Sequence, residues 1–337
     1  MRQLVFVRPG LVEWRDAAVP VLTSDHAALI RPLVLGRCDL DVGFVRGLAP
    51  MASGEPIGHE MIGEVVDVGD GVRHIRPGQR VIVPSQISCG DCRNCRRGFT
   101  GRCQSVPFAA SFGMGRPGNY GCAAADLVAV PFADAMLVPL PQGADPIAMI
   151  GAADMAADSW RAVAPQLAER PGATVLVVGG LASVIGIYAA GLAVALGAGR
   201  VDYADSDPAR RAQAAAYGAT PLALPGDLPM LYEIVVDACG TPDTLIQAIR
   251  AIEPEGVLTS VTIHLGETTP VPMLEMYHKG ITLRTGRANV RTNIPPTLDC
   301  CHAHGFRPDL IETRLYGFDD APAAWMDDAL RTAAARD

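Results

Sequence analysis

The chain has 337 residues, of which 49% are hydrophobic and 19% charged, and it carries a formal net charge of −8. That length exceeds one ordinary hydrophobic core, so two domains are expected. The acidic balance, without any run of Lys or Arg, argues against nucleic acid as the main partner.

Residues Met1 to Arg8 read as a short strand, with no apolar leader segment and no small-residue cleavage site. A cytoplasmic location follows as an expectation, and clustered cysteines are then read as metal ligands in preference to disulfides. Residues 1–150 carry short apolar runs such as 28–30, 61–68, 79–84 and 126–131, punctuated by Gly and Pro. Strands at this spacing predict an irregular barrel or sandwich.

Beyond residue 155 the pattern changes. A helix over 157–167 is followed by strands over 173–178, 200–204, 232–238, 256–263 and 281–285. Helices fall between the earlier strands at 183–196, 208–217 and 242–252. Strand and helix in alternation predict a parallel, doubly wound sheet. No charge occurs from Ala173 to Gly199, long enough for a membrane span, but Gly179-Gly180 divides the stretch. It reads as buried strand, turn and buried helix, with no membrane partner.

Cys89, Cys92, Cys95 and Cys103 give C-x2-C-x2-C-x7-C. These gaps let one loop wrap four thiolates around a tetrahedral ion, which predicts a closed, structural zinc site. The spacing fits iron–sulfur runs poorly. The intervening residues are mostly polar, so the metal would hold the lobe together. Upstream, Gly36-Arg37-Cys38 and Gly58-His59-Glu60 offer a thiolate, an imidazole and a carboxylate. These suit a zinc that keeps one position open for substrate.

The turn Val178-Gly179-Gly180-Leu181-Ala182-Ser183-Val184-Ile185-Gly186 departs from G-x-G-x-x-G. Leu181 stands at the second glycine position and Gly186 comes late. The next strand ends at Asp205, an acidic residue suited to the adenosine ribose hydroxyls and hostile to a 2′-phosphate, so NAD is favoured. A pyrophosphate would rest at the helix start near Ala182 and Ser183.

Taken together, Cys38-Asp39-Leu40-Asp41, Gly58-His59-Glu60, the cysteine lobe, residues 125–131 and the turn at 179 resemble the zinc-dependent medium-chain dehydrogenases of the alcohol dehydrogenase superfamily. The resemblance runs over essentially the whole chain. It implies an α/β protein with a GroES-like, β-rich catalytic domain (1–153 and 287–337) and a Rossmann domain (154–286) with a doubly wound parallel sheet. It makes Asp154 a further zinc ligand, with an N-cap for the following helix as the alternative. It makes Glu60 an alternating ligand or supporting group, and Asp41 the carboxylate that orients His59. Cys239 and Ile263 would flank the nicotinamide. The implied activity is zinc-dependent hydride transfer between NAD and an alcohol, a secondary alcohol or polyol. Carbonyl reduction in biosynthesis and a non-catalytic, zinc-stabilised relative are the alternatives. The partners implied are a small-molecule alcohol or carbonyl and further copies of the chain, in a homodimer or homotetramer.

The proton path departs from these relatives. Where they carry Ser or Thr two residues after the cysteine ligand, this chain has Leu40, and Gly43 replaces a downstream His. Asp158 stands where relatives carry a Thr. Asp158 or Asp39 would then replace the missing hydroxyl, or Asp158 would hold a polar or cationic substrate.

Overall fold

The computed structural model describes residues 1–115, 118, 120–226 and 228–336. The chain forms two compact units. One comprises 1–157, 289–295 and 313–337, and the other 158–288 and 296–312.

In the first unit a seven-stranded sheet carries the functional side chains. Strand Ala28–Gly36 lies near its centre, paired antiparallel with Glu60–Val68 on one side and with Arg331–Ala335 on the other. The register sets which side chains meet. Gly36 faces Glu60 on one side and Ala333 on the other. An antiparallel ladder joins the end of one strand to the start of its partner, so residues just beyond Gly36 meet residues just before Glu60. Cys38 and His59 are therefore brought together by pairing, not by local spacing. The alternation of buried positions in these strands feeds one apolar core, including Ile30, Leu35, Met61, Val65, Val81, Phe112 and Trp325.

The second unit contains a six-stranded parallel sheet. Its order is Thr220–Ala223, Arg200–Asp205, Thr174–Val178, Tyr232–Asp237, Ile252–Ser260, Thr282–Arg284. From Thr174–Val178 the chain moves outward to one side, then returns to build the other. The strand order therefore reverses between Val178 and Asp237, which makes a crevice at the strand ends there. Helix Ser183–Ala195, apolar on nearly all faces, is buried through most of its length.

The expected boundaries at 153/154 and 286/287 fall at 157/158 and 288/289 in the observed units, which puts Asp154 in the first unit, and the tail is divided as well. Residues 296–312 cluster with the second unit, where the sequence assigned the whole tail to the first. Tyr188 and Tyr217 donate their hydroxyls to the carbonyls of Pro308 and Arg307, and Phe306 stacks on Tyr217. The short segment 289–295 belongs with the first unit through its contacts to the cysteine lobe. Asn289 accepts from Gly101 N–H, and Thr292 donates to the Gly98 carbonyl. Among the described residues no helix is long and apolar enough to cross a membrane.

Candidate metal centre and cofactor crevice

Cys38, His59 and Asp154 present Sγ, a ring nitrogen and a carboxylate oxygen within 4.8 Å of one another, all buried. Asp154 Oδ2 lies 3.5 Å from Cys38 Sγ and 3.7 Å from His59 Nε2. Ligands held about 2.0–2.3 Å from one tetrahedral ion lie about 3.3–3.8 Å apart, so these separations fit zinc. The surroundings fit as well. His59 Nε2 is fully buried and has no hydrogen-bond partner among the described residues, an orphan that a metal would satisfy. Burial, and then the charge of Asp154, push the Cys38 thiol well above its usual pKa. Burial opposes protonation of His59, but Asp41, Asp154 and Glu60 together raise it to about 9. This is a pocket with excess negative charge, and a cation reverses that penalty by stabilising the thiolate.

The supporting groups are ordered from two directions. Asp41 sits at the third position of helix Asp39–Val45, whose N-cap is Cys38, and its Oδ2 accepts from Cys38 N–H at 3.1 Å. Its Oδ1 lies 3.5 Å from His59 Nδ1, the ring nitrogen facing away from Asp154. At that distance His59 Nδ1 and Asp41 Oδ1 also lack a hydrogen-bond partner among the described residues, and the carboxylate lies where it would favour the tautomer that leaves Nε2 as a ligand. Asp154 faces the set, and Ser85 Oγ donates to its Oδ1 at 2.6 Å.

Glu60 is not one of the three clustered donors. Its Oε2 pairs with Arg331 Nη2 at 3.0 Å, and both side chains are buried. Burial, opposed by Arg331, pushes the Glu60 carboxyl up to about 7. Gly36, between the two strands, makes room for this pair. A Cβ there would lie 1.9 Å from Glu60 Oε2. The roles of Ser85, Arg331 and Gly36 escaped sequence reasoning, because each acts on a residue distant in the chain.

The four lobe thiols also gather within 4.8 Å. Cys92 Sγ and Cys103 Sγ are 4.0 Å apart, near the edge of a zinc–thiolate tetrahedron, about 3.8 Å for Zn–S bonds of about 2.3 Å. Backbone N–H groups point at the sulfurs, from Cys92 to Cys89, from Gln104 and Cys95 to Cys92, and from Cys89 and Ser105 to Cys103. Although burial resists ionisation of Cys92, the N–H groups of Gln104 and Cys95 bring its pKa down to about 6.

In the second unit the glycine turn follows strand Thr174–Val178. Each predicted glycine marks a close approach. A Cβ at Gly179 would lie 2.3 Å from Asp205 Oδ2, one at Gly180 2.6 Å from the Cys239 backbone, and one at Gly186 3.0 Å from Ala238 Cβ. Leu181 and Ala182 N–H groups bind the carbonyls of Cys239 and Ala238. Ala182 is the N-cap of helix Ser183–Ala195, and Ser183 Oγ donates to the Gly180 carbonyl. Asp205, buried at its strand end, accepts from Tyr203 OH, Asp207 N–H and Arg210. That arginine is the feature the sequence did not weigh. Cys239 and the half-exposed Ile263 lie just beyond the strands ending at Asp237 and Ser260.

The proton-path positions are also placed. Leu40 packs against the apolar core of the first unit. Asp158, one turn into helix Met155–Glu169, forms an ion pair with Arg161 at 2.5 Å.

The alcohol dehydrogenase GroES-like domain matches residues 24–142, and the zinc-binding dehydrogenase domain matches residues 184–302. The chain is 30% identical to the glutathione-independent formaldehyde dehydrogenase of Pseudomonas aeruginosa, over 90% of this chain and 79% of that protein. It is 28% identical to the NADP-dependent isopropanol dehydrogenase of Thermoanaerobacter brockii, over 97% and 95%. The structure of alcohol dehydrogenase TADH from Thermus sp. ATN1 superposes with a TM-score of 0.88 at 27% identity, over the whole of both chains. The chain thus belongs to the zinc-dependent medium-chain dehydrogenase/reductase family, with a GroES-like domain and a Rossmann-like parallel sheet. It is an oxidoreductase of the zinc-dependent alcohol dehydrogenase type.

Proposed function

We propose that the chain transfers hydride reversibly between NAD and a secondary alcohol or polyol. The observation that carries this reading is the buried Cys38–His59–Asp154 set with its orphaned His59 Nε2, in one chain with a glycine-turn crevice. Zinc held by these three residues would supply Lewis-acid polarisation of a substrate oxygen. The chain's own groups do the rest. Asp41 favours the ligating His59 tautomer, Ser85 holds Asp154, and Arg331 keeps the Glu60 carboxylate beside the set without adding free negative charge. Cys89, Cys92, Cys95 and Cys103 would hold a second zinc of structural type, with four thiolates and no place for substrate.

Asp205 at the end of its strand supports NAD over NADP, since a carboxylate there accepts ribose hydroxyls and repels a phosphate. Arg210, 2.8 Å from Asp205, tempers that preference, so some use of the phosphorylated cofactor is expected. Asp158 or Asp39 carries the proton in place of a hydroxyl at Leu40. If the Asp158→Asn variant keeps the wild-type pH–rate profile, Asp158 is not the base. Self-association is proposed through the edge strand Thr282–Arg284, beside exposed Met273, Leu274 and Tyr277. Reduction of NAD and NADP with a panel of primary, secondary and polyhydric alcohols tests the assignment. Turnover of secondary alcohols or polyols with NAD supports it, and no dehydrogenation of any alcohol contradicts it.

A further inference from the structure

Within the first unit, one short segment joins the cysteine lobe to the Cys38 centre. Residues 98–102, the loop between the third and fourth lobe cysteines, hold the first turn of helix Val290–Ala303. The Asn289 carbonyl accepts the N–H groups of Thr292 and Asn293, so Asn289 opens that turn. Its side-chain Oδ1 reaches the lobe, accepting from Gly101 N–H and Arg102 Nη1, both at 3.1 Å. Thr292 Oγ1 donates to the Gly98 carbonyl at 2.7 Å and lies 3.3 Å from Thr100 Oγ1. The same turn reaches Asp154 by two routes. Val290 N–H donates to Gln86 Oε1 at 3.3 Å, and Gln86 adjoins Ser85, whose Oγ holds Asp154 Oδ1 at 2.6 Å. Asn293 Nδ2 donates at 2.9 Å to the carbonyl of Ala157, three residues after Asp154 and in the first turn of helix Met155–Glu169. Gln86 and Asn293 are buried, at 4% and 9% exposure, so water is kept from replacing these bonds.

The lobe has little of its own to order it. Phe99 is the only large apolar side chain between Cys89 and Cys103, and it is 38% exposed. Four thiolates around one ion would therefore set the shape of residues 98–102. We propose that the lobe metal positions Asp154 through Asn289, Thr292 and Asn293, so that the lobe and the Cys38 centre bind metal cooperatively. This rests on the two-zinc reading above. Without lobe metal, residues 98–102 lose their fixed shape and the helix turn loses its lobe-side bonds. Gln86 and Asn293 then no longer fix the two flanks of Asp154, and the Cys38 centre binds its metal more weakly. Asn289, Thr292 and Asn293 are positioning residues, since none of them is a ligand.

The test measures cobalt(II) affinity at the Cys38 centre of the full chain by chelator competition. Absorption tells the two sites apart, because a four-thiolate and a Cys–His–Asp ligand set differ in donor type. Cys103→Ser, which empties the lobe, is expected to weaken cobalt at the Cys38 centre about tenfold, the low end for groups that orient metal ligands. Asn289→Ala combined with Thr292→Val spares every ligand and should give a similar loss. Adding Cys103→Ser to that pair costs less than a further factor of about two, because the route is already cut. Asn289→Asp keeps an acceptor for Gly101 and Arg102 and stays within about twofold of wild type. Asn293→Ala weakens the Cys38 centre about tenfold and alters its absorption while the lobe stays loaded. A merely structural role would lower thermal stability and leave cobalt affinity and absorption at the Cys38 centre alone. Unchanged affinity in Asn293→Ala and in the Asn289→Ala, Thr292→Val pair overturns the proposal, whether or not Cys103→Ser folds. Additive losses in the combined variant overturn it as well. If the unmutated chain takes no metal at Cys38, His59 and Asp154, the two-zinc reading fails first, and the proposal with it.

Discussion

Replacing Arg331 by Met tests how the metal centre is supported. Arg331 and Glu60 are buried at 1% and 0% exposure, joined at 3.0 Å across a row in which Gly36 has no side chain. Met fills much of the arginine stem but leaves the Glu60 carboxylate without its cation. Breaking a buried pair from one side costs about 3–5 kcal/mol, because a desolvated charge remains. For a domain of about 150–250 residues each kcal/mol shifts the midpoint by about 2–4 °C, so a fall of about 6–20 °C is expected. Adding Glu60→Gln removes the stranded charge. The double variant should then recover at least about 2 kcal/mol relative to Arg331→Met alone, a coupling typical of groups in contact. The assay is differential scanning calorimetry of wild type, Arg331→Met, Glu60→Gln and the double variant at pH 8, above the Glu60 value of about 7, so that the wild-type carboxylate is ionised. A single-variant loss below about 1 kcal/mol, or a double variant no more stable than Arg331→Met, would refute the reasoning.

Neighbouring geometry gives three more tests. Ser85→Ala removes the 2.6 Å bond to Asp154 and should weaken zinc at the Cys38 site about 10–100-fold, measured by chelator competition, while the lobe zinc stays. Cys103→Ser should release the lobe zinc and make residues 89–105 the first site of protease cleavage; an intact, metal-loaded lobe would count against it. Tyr316 and then the Ala329 N–H hold the Asp327 carboxyl far below its ordinary range. A depressed folded pKa contributes stability above the unfolded value, about 3.9, that is lost as pH falls below it. Asp327→Asn should therefore flatten the acid limb of thermal stability below about pH 4, and an unchanged limb would rule out that contribution.

Much of the fold was legible in the sequence because its signals are local. Strand–turn–helix over 174–195 shows in a β-branched run, two glycines and an apolar helix, and the cysteine spacing encloses a site within fifteen residues. Sequence pattern also found the strand ending at Asp205. For the strand that closes at Ser260 it gave 256–263, where the structure has Ile252–Ser260. The tail was harder. Residues 296–312 join the second unit through tyrosine-to-carbonyl bonds, for which no periodicity exists. The metal centre shows the same division. Cys38 and His59 were proposed from the chemistry of their residue types and Asp154 from resemblance, and the structure brings their donor atoms together. Its supports, Ser85 and Arg331, depend on contacts between residues distant in the chain and carry no motif. Arg210 beside Asp205 was visible as a residue, but its direction toward the carboxylate depends on how helix Pro208–Ala216 leaves the strand.

Zinc content and turnover in wild type and Cys38→Ser, measured on the same preparations, test the central claim most directly. The account predicts about two zinc ions per chain in wild type, with alcohol-dependent reduction of the dinucleotide. Cys38→Ser should retain about one zinc, in the cysteine lobe, and lose turnover. Two zinc ions and full turnover in the variant, or one zinc in an active wild type, would contradict a catalytic metal at Cys38, His59 and Asp154.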